Sequence, residues 1–278
     1  MENREEVVTI IKPITRWEVL NLRQIFAFKD LLWALGLRDI KLRYRQTALG
    51  VIWVVLQPLM AAAIFTLVFN YIAKIEGPPG IPYFVFSFAG MLGWNLFSQT
   101  LTKSAGSLVQ NSSLVSKVFF PKTIVPLSAI FASLVDFAVA FVLLLAMLPF
   151  FHVGITWQFL LLPVWVLLLL MSAMGLGLYC SALMVNYRDV QYILPVFVQM
   201  LQYASPVAYS LDKVPARFQT LISLNPLTGI LEGLRWSVLG TDTLNLTAVA
   251  YSTIVIVVTF VLGALLFGRA ERRFADVI

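Results

Sequence analysis

The stretch TIVPLSAIFASLVDFAVAFVLLLAMLPFFHVGITWQFLLLPVWVLLLLMSAMGLGLYCSALMVNY, residues 123–187, carries a single formal charge, Asp136, in 65 positions. A helix needs roughly 20 predominantly apolar residues to cross the hydrocarbon core of a bilayer, so this run holds two crossings. The break between them falls at Pro149, His152 and Gly154, residue types that suit a polar-tolerant turn. Helices are the expected structure. Lipid-facing backbone must satisfy its own hydrogen bonds, and the run lacks the alternation of a strand.

The same test extends outward along the chain. Uncharged runs of 28 residues between Arg45 and Lys74, 26 between Glu76 and Lys103, 22 from Val190 to Leu211 and 26 from Thr243 to Gly268 frame the rest. Together they predict an all-α integral membrane protein with six transmembrane helices, at about 50–72, 82–102, 124–149, 157–184, 190–209 and 247–267. Composition agrees: the 278 residues are 60% hydrophobic and 12% charged, against about 25% charged in soluble domains. So few charges leave lipid as the solvent for much of the surface.

Lys and Arg give the orientation. With six spans both termini share a side, and that side collects 16 of the 20 basic residues; the other has Lys74, Lys213, Arg217 and Arg235. The positive-inside rule then places both termini in the cytoplasm. The net charge of +6 is thereby a topology signal and calls for no nucleic-acid partner. The first twenty residues lack a continuous apolar segment, so no cleavable signal peptide is expected.

Outside the spans, residues 1–21 read as a polar cytoplasmic lead-in. Residues 22–45 place Leu22, Ile25, Phe26, Leu32 and Leu35 at helical spacings among Arg23, Lys29, Arg38 and Asp39. With Trp33 and the cluster Lys41, Arg43, Tyr44 and Arg45, they form an amphipathic interface helix on the cytoplasmic membrane surface; a plain anchor on anionic lipid is the alternative. The cytoplasmic loop 103–123 has room for a short helix between Ser107 and Phe119, or is a solvated turn. The turn between spans four and five presents Arg188 and Asp189, as a second small contact or as an anchor with its counter-charge. Between spans five and six, residues 210–242 are too long for a tight turn. Asn225–Pro226 is a helix start, with Asn as N-cap and Pro at the first position, and Gly240 is a stop. Glu232 and Arg235, three apart, are placed to pair. Two short re-entrant helices are expected here, as an external gate or as a lid that packs the bundle, with Pro206 redirecting the chain into them.

The missing chemistry excludes most catalytic classes. There is no Gly-x-x-x-x-Gly-Lys-Ser/Thr phosphate loop, no His-Glu-x-x-His and no Cys/His cluster. The single histidine, His152, is a poor basis for a metal site or a hydrolase triad, and the single cysteine, Cys180, excludes an intrachain disulfide. Asp136, the one charge well inside a span, must face the bundle, water or a partner: it lines a pathway, or it binds a neighbouring helix. Among the aromatics, Trp94 and Phe97 in span two and Tyr203 in span five either belong to an interfacial belt or face a pore, where they could stack on sugar rings.

The run LWALGLRDIKLRYRQTALGVIW, residues 32–53, followed by Leu56-Gln57-Pro58, resembles the entry to the first span in permeases of ABC-type polysaccharide exporters. The likeness continues through Asn186–Val190, Ser205–Tyr209 and Leu224–Leu227, and is nearest to the O-antigen and lipopolysaccharide subgroup. Teichoic-acid and capsule exporter permeases are close relatives, and a small-lipid or drug exporter or a membrane-embedded glycan transferase are the more distant readings. The resemblance implies a homodimer in the bacterial cytoplasmic membrane, paired with two copies of a separate ATPase that holds the ATP and Mg. This chain would bind no cofactor and carry no enzyme activity. The cargo would be a lipid-linked polysaccharide. It further implies that Arg38, Asp39, Arg43 and Tyr44 of the interface helix, Ser113, Ser116 and Lys117 of a coupling helix, and Arg188 and Asp189 of the second turn meet the ATPase. Asn225, Pro226, Glu232 and Arg235 would lie in the external gate.

Overall fold

The computed structural model describes residues 22–45, 50–241, 244–271 and 274, and the regular elements among them are all helices, with no strand. The expected lead-in, 1–21, and the end of the expected gate segment, Asp242, lie outside the described residues. In chain order the α-helices are α1 Leu22–Ala27, α2 Lys29–Arg45, α3 Gly50–Phe65, α4 Tyr83–Gln110, α5 Ser112–Lys117, α6 Ile124–Phe150, α7 Leu162–Asn186, α8 Val190–Tyr203, α9 Ala216–Ser223, α10 Pro226–Leu239 and α11 Leu246–Glu271. A π-helical turn, Thr66–Ile72, prolongs α3, and a 3-10 turn, Trp157–Leu161, leads into α7.

Among the described residues four stretches are long and apolar enough to cross a membrane: Ile52–Ile72, Ile124–Phe150, Trp157–Asn186 and Leu246–Glu271. They agree with expected spans one, three, four and six. The other two differ for different reasons. Helix α4 has 28 residues, about 42 Å at ~1.5 Å per residue, so it is long enough. Its sequence is more polar, because it is the central helix and much of its surface meets protein. It packs on α7 and α6 most extensively and also on α3 and α10, with Phe88, Phe97 and Leu101 fully buried.

Helix α8 has 14 residues, about 21 Å at ~1.5 Å per residue, too short for a core about 30 Å thick. The chain leaves the helix at Ala204 and runs irregularly to Tyr209, with Ser205, Val207 and Ala208 buried. Its carbonyls are met by protein: the Tyr83 hydroxyl donates to Ala208 O, and Arg235 Nη1 donates to Val207 O (3.3 Å) and Tyr209 O (3.2 Å). Irregular backbone away from water requires such donors. The approach to α4 is close enough that a Cβ on Gly90 would stand 2.0 Å from Val207 O.

Helix α10 begins and ends where local chemistry dictates. Asn225 Oδ1 accepts from Leu227 N (3.0 Å), Pro226 follows, and Gly240 closes the helix in the left-handed conformation at φ 67°. Its setting differs from that of a surface lid. Twelve of its 14 residues are buried, and it lies among α4, α7 and α11, so it is an inner element of the bundle. The tightest crossing joins α7 to α11, where a Cβ on Gly263 would fall 2.0 Å from Gly175 O; neither helix could carry a side chain there.

Candidate functional site

Helices α4 and α6 run in opposite directions, so the C-terminus of α4, the N-terminus of α6 and the C-terminus of α7 share one end of the bundle. Helix α2 packs there. Leu35 is buried, Gly36 fits against Phe131 of α6, and Trp33 sets its ring edge-on to Phe131 at 5.3 Å. The interface helix therefore docks one face on the bundle and leaves Phe26, Trp33 and Leu42 exposed.

Two polar ties fix α2 in place. Arg38 Nη2 donates to Asp39 Oδ1 (2.8 Å) and to Asn111 Oδ1 (2.8 Å). Asn111 is the residue between α4 and α5, and its own Nδ2 donates to Ser107 O (2.8 Å). Five residues further along α2 from Arg38 lies the second. Arg43 Nη2 reaches Asp136 Oδ2 at 3.0 Å, and Lys103 Nζ of α4 reaches the same oxygen at 3.1 Å. Asp136 is 4% exposed. Its carboxylate faces two cations from two other helices inside the protomer and joins α2, α4 and α6. Lys103, expected in a loop, sits within α4, which continues to Gln110.

Of the two readings of loop 103–123, a short helix or a solvated turn, the structure has a helix, α5, confined to Ser112–Lys117. Val115 and Phe120 anchor it in the core, while Ser113, Ser116 and Lys117 face outward and Phe119 is 82% exposed. Glu271 Oε1 accepts from Lys122 N (2.6 Å) and ties the end of α11 to the same region. Arg188 and Asp189 lie on the exposed turn after α7. The Tyr44 side chain is outside the described residues. The sequence reading placed Asn111 in this loop and Phe119 among its apolar anchors, but foresaw neither the tie from Arg38 to Asn111 nor the outward turn of Phe119. An Asn just before a Ser-rich helix start was a signal for the first; nothing local marked which of the adjacent Phe119 and Phe120 turns outward.

At the other end, Glu232 and Arg235 do not pair within 4.0 Å; each turns to backbone. Glu232 Oε1 accepts from Leu211 N (3.1 Å). Arg235, 2% exposed, holds the carbonyls of the irregular 204–209 segment and stacks its guanidinium over Phe86 at 4.3 Å. Burial pushes the Glu232 carboxyl above its ordinary value, opposed by the Arg235 charge and the Leu211 amide. Asn225 Nδ2 donates to Ser205 Oγ (2.8 Å), joining the start of α10 to the end of α8. Glu232 and Arg235 line a cleft of about 820 Å³ between the far-end loops.

The aromatic residues divide. Trp94 and Phe97 pack on each other at 5.5 Å in the core and are almost wholly buried. Tyr203 is 63% exposed on α8, in one stripe with Tyr192, Val196 and Met200. Among the described residues no group of three or more His, Cys, Asp or Glu could hold a metal ion.

Residues 30–239 match the family model described as ABC-2 type transporter. The chain is 27% identical to an O-antigen export system permease protein RfbA of Klebsiella pneumoniae, over 93% of this chain and 97% of the relative. It is 28% identical to an O-antigen export system permease protein RfbA of Myxococcus xanthus, over 76% and 80%. To a polysialic acid transport protein KpsM of Escherichia coli it is 26% identical, over 86% and 93%.

Proposed function

We infer the function from one premise: the chain belongs to the ABC-2 type transporter family. It is an integral membrane permease, homologous to O-antigen export permeases and to a capsule-type polysaccharide transporter. The reading we propose is the membrane subunit of an exporter for a lipid-linked polysaccharide of O-antigen type in the bacterial cytoplasmic membrane. A homodimer would form the channel, and two copies of a separate ATPase, which binds ATP and Mg, would drive it. The observation that carries this reading is the similarity to O-antigen export permeases over 93% of this chain and 97% of the relative. In this reading α4 and the broken unit of α8 with residues 204–209 complete six crossings, and both termini are cytoplasmic, in keeping with the basic residues gathered on that side.

The geometry suits a driven channel. A polymer is too long to be occluded in a closed cavity, so it needs a continuous path, a push and a seal. The push would arrive at the near end of the bundle. Arg38, Asp39, Arg43, Tyr44, Ser113, Ser116, Lys117, Arg188 and Asp189 would meet the ATPase there. The ties Arg38–Asn111 and Arg43–Asp136–Lys103 would let α2 and α5 move as one piece. The seal would be the far end, where Asn225, Pro226, Glu232 and Arg235 hold α10 against α8 and its irregular extension. Tyr203 and its stripe on α8 would face the partner protomer or the channel.

Purifying the chain alone and with its ATPase tests the reading. ATP hydrolysis by the chain alone, or polymer export that survives deletion of the ATPase gene, would overturn it. The likeness to a polysialic acid transport protein over 86% of this chain supports a second reading, a capsular polymer. Chemical analysis of the surface polysaccharide missing from a deletion strain separates the two.

A further inference from the structure

The far-end cleft is formed by loop 77–81, the turn around His152–Thr156, residues 210–213 and helix α10, with Gln219 and Asn245 at its edges. Its backbone is held in unusual conformations. Among the described residues the left-handed region is occupied at four positions: Lys74 (φ 54°), Gly80 (74°), His152 (56°) and Gly240 (67°). Three of these line the cleft and the fourth begins the loop that supplies its wall. Side-chain-bearing residues adopt this conformation at some cost and keep it where the surroundings dictate it, often at binding sites. Pro78 and Pro79 stiffen the same wall, and Thr156 abuts Gly240. The far-end loops therefore shape a fixed hollow.

The lining specifies a ligand class. Asp212 and Glu232 are balanced by Lys213 and Arg235, so the carboxylates and the Lys and Arg cations of the lining cancel. A phosphate or a cation would call for an imbalance. The amides are half engaged: Gln219 Nε2 donates to Val214 O (2.8 Å), leaving its carbonyl oxygen, and Asn245 Oδ1 accepts from Ala248 N (3.0 Å), leaving its NH2. Fixed amides and carboxylates of this kind hydrogen-bond neighbouring hydroxyls. Between them Pro78, Pro79, Val153 and Leu244 present apolar surface. Hydroxyl-bearing edges and C–H faces together are the two surfaces of a pyranose ring. The volume of about 820 Å³ lies within the roughly 300–1,000 Å³ of small-molecule sites.

We propose that this cleft binds an uncharged oligosaccharide segment of two or three sugar units, a subsite for the polymer as it leaves the protein. The assignment rests on the exporter reading, which places the cleft on the external side. Glu232 and Gln219 orient the hydroxyls, and the proline wall takes the ring faces. Because Glu232 and Arg235 also belong to the gate, an occupied cleft sits directly on the helix that must yield for the polymer to pass.

The test is isothermal titration calorimetry on the full chain in lipid nanodiscs, with an uncharged oligosaccharide of two or three units released from the host's surface polysaccharide. Saturable binding is expected. Gly154→Phe should weaken it at least tenfold, because Gly154 lines the cleft and a Cβ there meets nothing within 4 Å, so a bulky side chain can be added to this wall without a clash at its base. Gln219→Ala should weaken binding about tenfold, with Thr102→Ala, exposed on α4 away from the cleft, as the unchanged control. Absence of saturable binding by the wild type, or wild-type affinity in Gly154→Phe, overturns the proposal. Deleting the gene tests the exporter reading separately. If surface polymer is lost but the oligosaccharide does not bind, the cleft assignment alone falls. If polymer remains on the surface, the exporter reading falls and the calorimetry still decides the cleft.

Discussion

A carboxylate at the middle of an apolar helix is stable only where its charge is answered, and among the described residues Asp136 meets Arg43 at 3.0 Å and Lys103 at 3.1 Å. Removing one side of a buried pair typically destabilises by about 3–5 kcal/mol because the remaining charge is left unanswered. The two cations here differ from that simple case, since their side chains are 33% and 28% exposed and can turn to water. Asp136→Ala should therefore lower the midpoint of thermal unfolding and free α2, whereas Lys103→Met should be milder, because Arg43 still serves the carboxylate. Fluorescence-detected size exclusion after heating measures both, and equal losses would refute the shared-carboxylate account. Arg235 is the more exacting residue, since it is 2% exposed and carries two carbonyls of the irregular segment. Each buried polar group stripped of its partner costs about 1–3 kcal/mol, so Arg235→Met should unfold the protein at lower temperature than Arg235→Lys, which keeps one donor in place. The same assay shows the order, and the reverse order would mean that the guanidinium is not what holds residues 204–209.

Among the elements, α2 and α5 are joined by the bond from Arg38 to Asn111, and that link predicts non-additivity. If the two helices receive the ATPase stroke as one piece, Arg38→Ala and Asn111→Ala should each reduce ATP-driven export, and the double variant should be no worse than the more severe single one. Independent sites would give additive losses in free energy; additivity in a transport assay with the intact complex would dismiss the joint platform. How far these elements can be read from sequence depends on where their determinants lie. Helix α10 is legible almost to the residue because Asn225, Pro226 and Gly240 are local signals for a start and a stop. Helices α3, α6, α7 and α11 are legible because charge-free length decides them. The end of α8 is not, since the uncharged run 190–211 looks the same as a straight span or as a helix followed by a break. What permits the break is Arg235, supplied by another helix, and the small Gly90 that lets Val207 approach α4. The partners of Asp136 were hidden for the same reason, since Arg43 lies 93 positions away in a helix read as lying on the membrane surface.

Across the whole molecule the packing falls into two clusters, and the smaller one explains how a force at the surface could reach the bundle. Leu35 of α2, Leu108 of α4, Val115 of α5, Phe120, Ile124 of α6, Leu178 of α7 and Phe267 of α11 form a single buried group at the near end. Close-packed interiors transmit displacement because they have few voids to absorb it. Against that cluster Phe120 is buried while Phe119, the next residue back, is 82% exposed, so the most apolar feature beside α5 is an aromatic ring with its backbone anchored in the core. Fully burying a phenylalanine side chain is worth roughly 1.5–3 kcal/mol, enough to matter if a partner docks on α5, whose other outward side chains are serines and a lysine. Phe119→Glu should leave the thermal midpoint of the isolated chain unchanged, since the ring touches little within it. The same substitution should sharply reduce recovery of the ATPase in a pull-down from cells expressing both subunits. Wild-type recovery would move the docking surface away from α5, toward the exposed turn at Arg188 and Asp189 on the same end of the bundle.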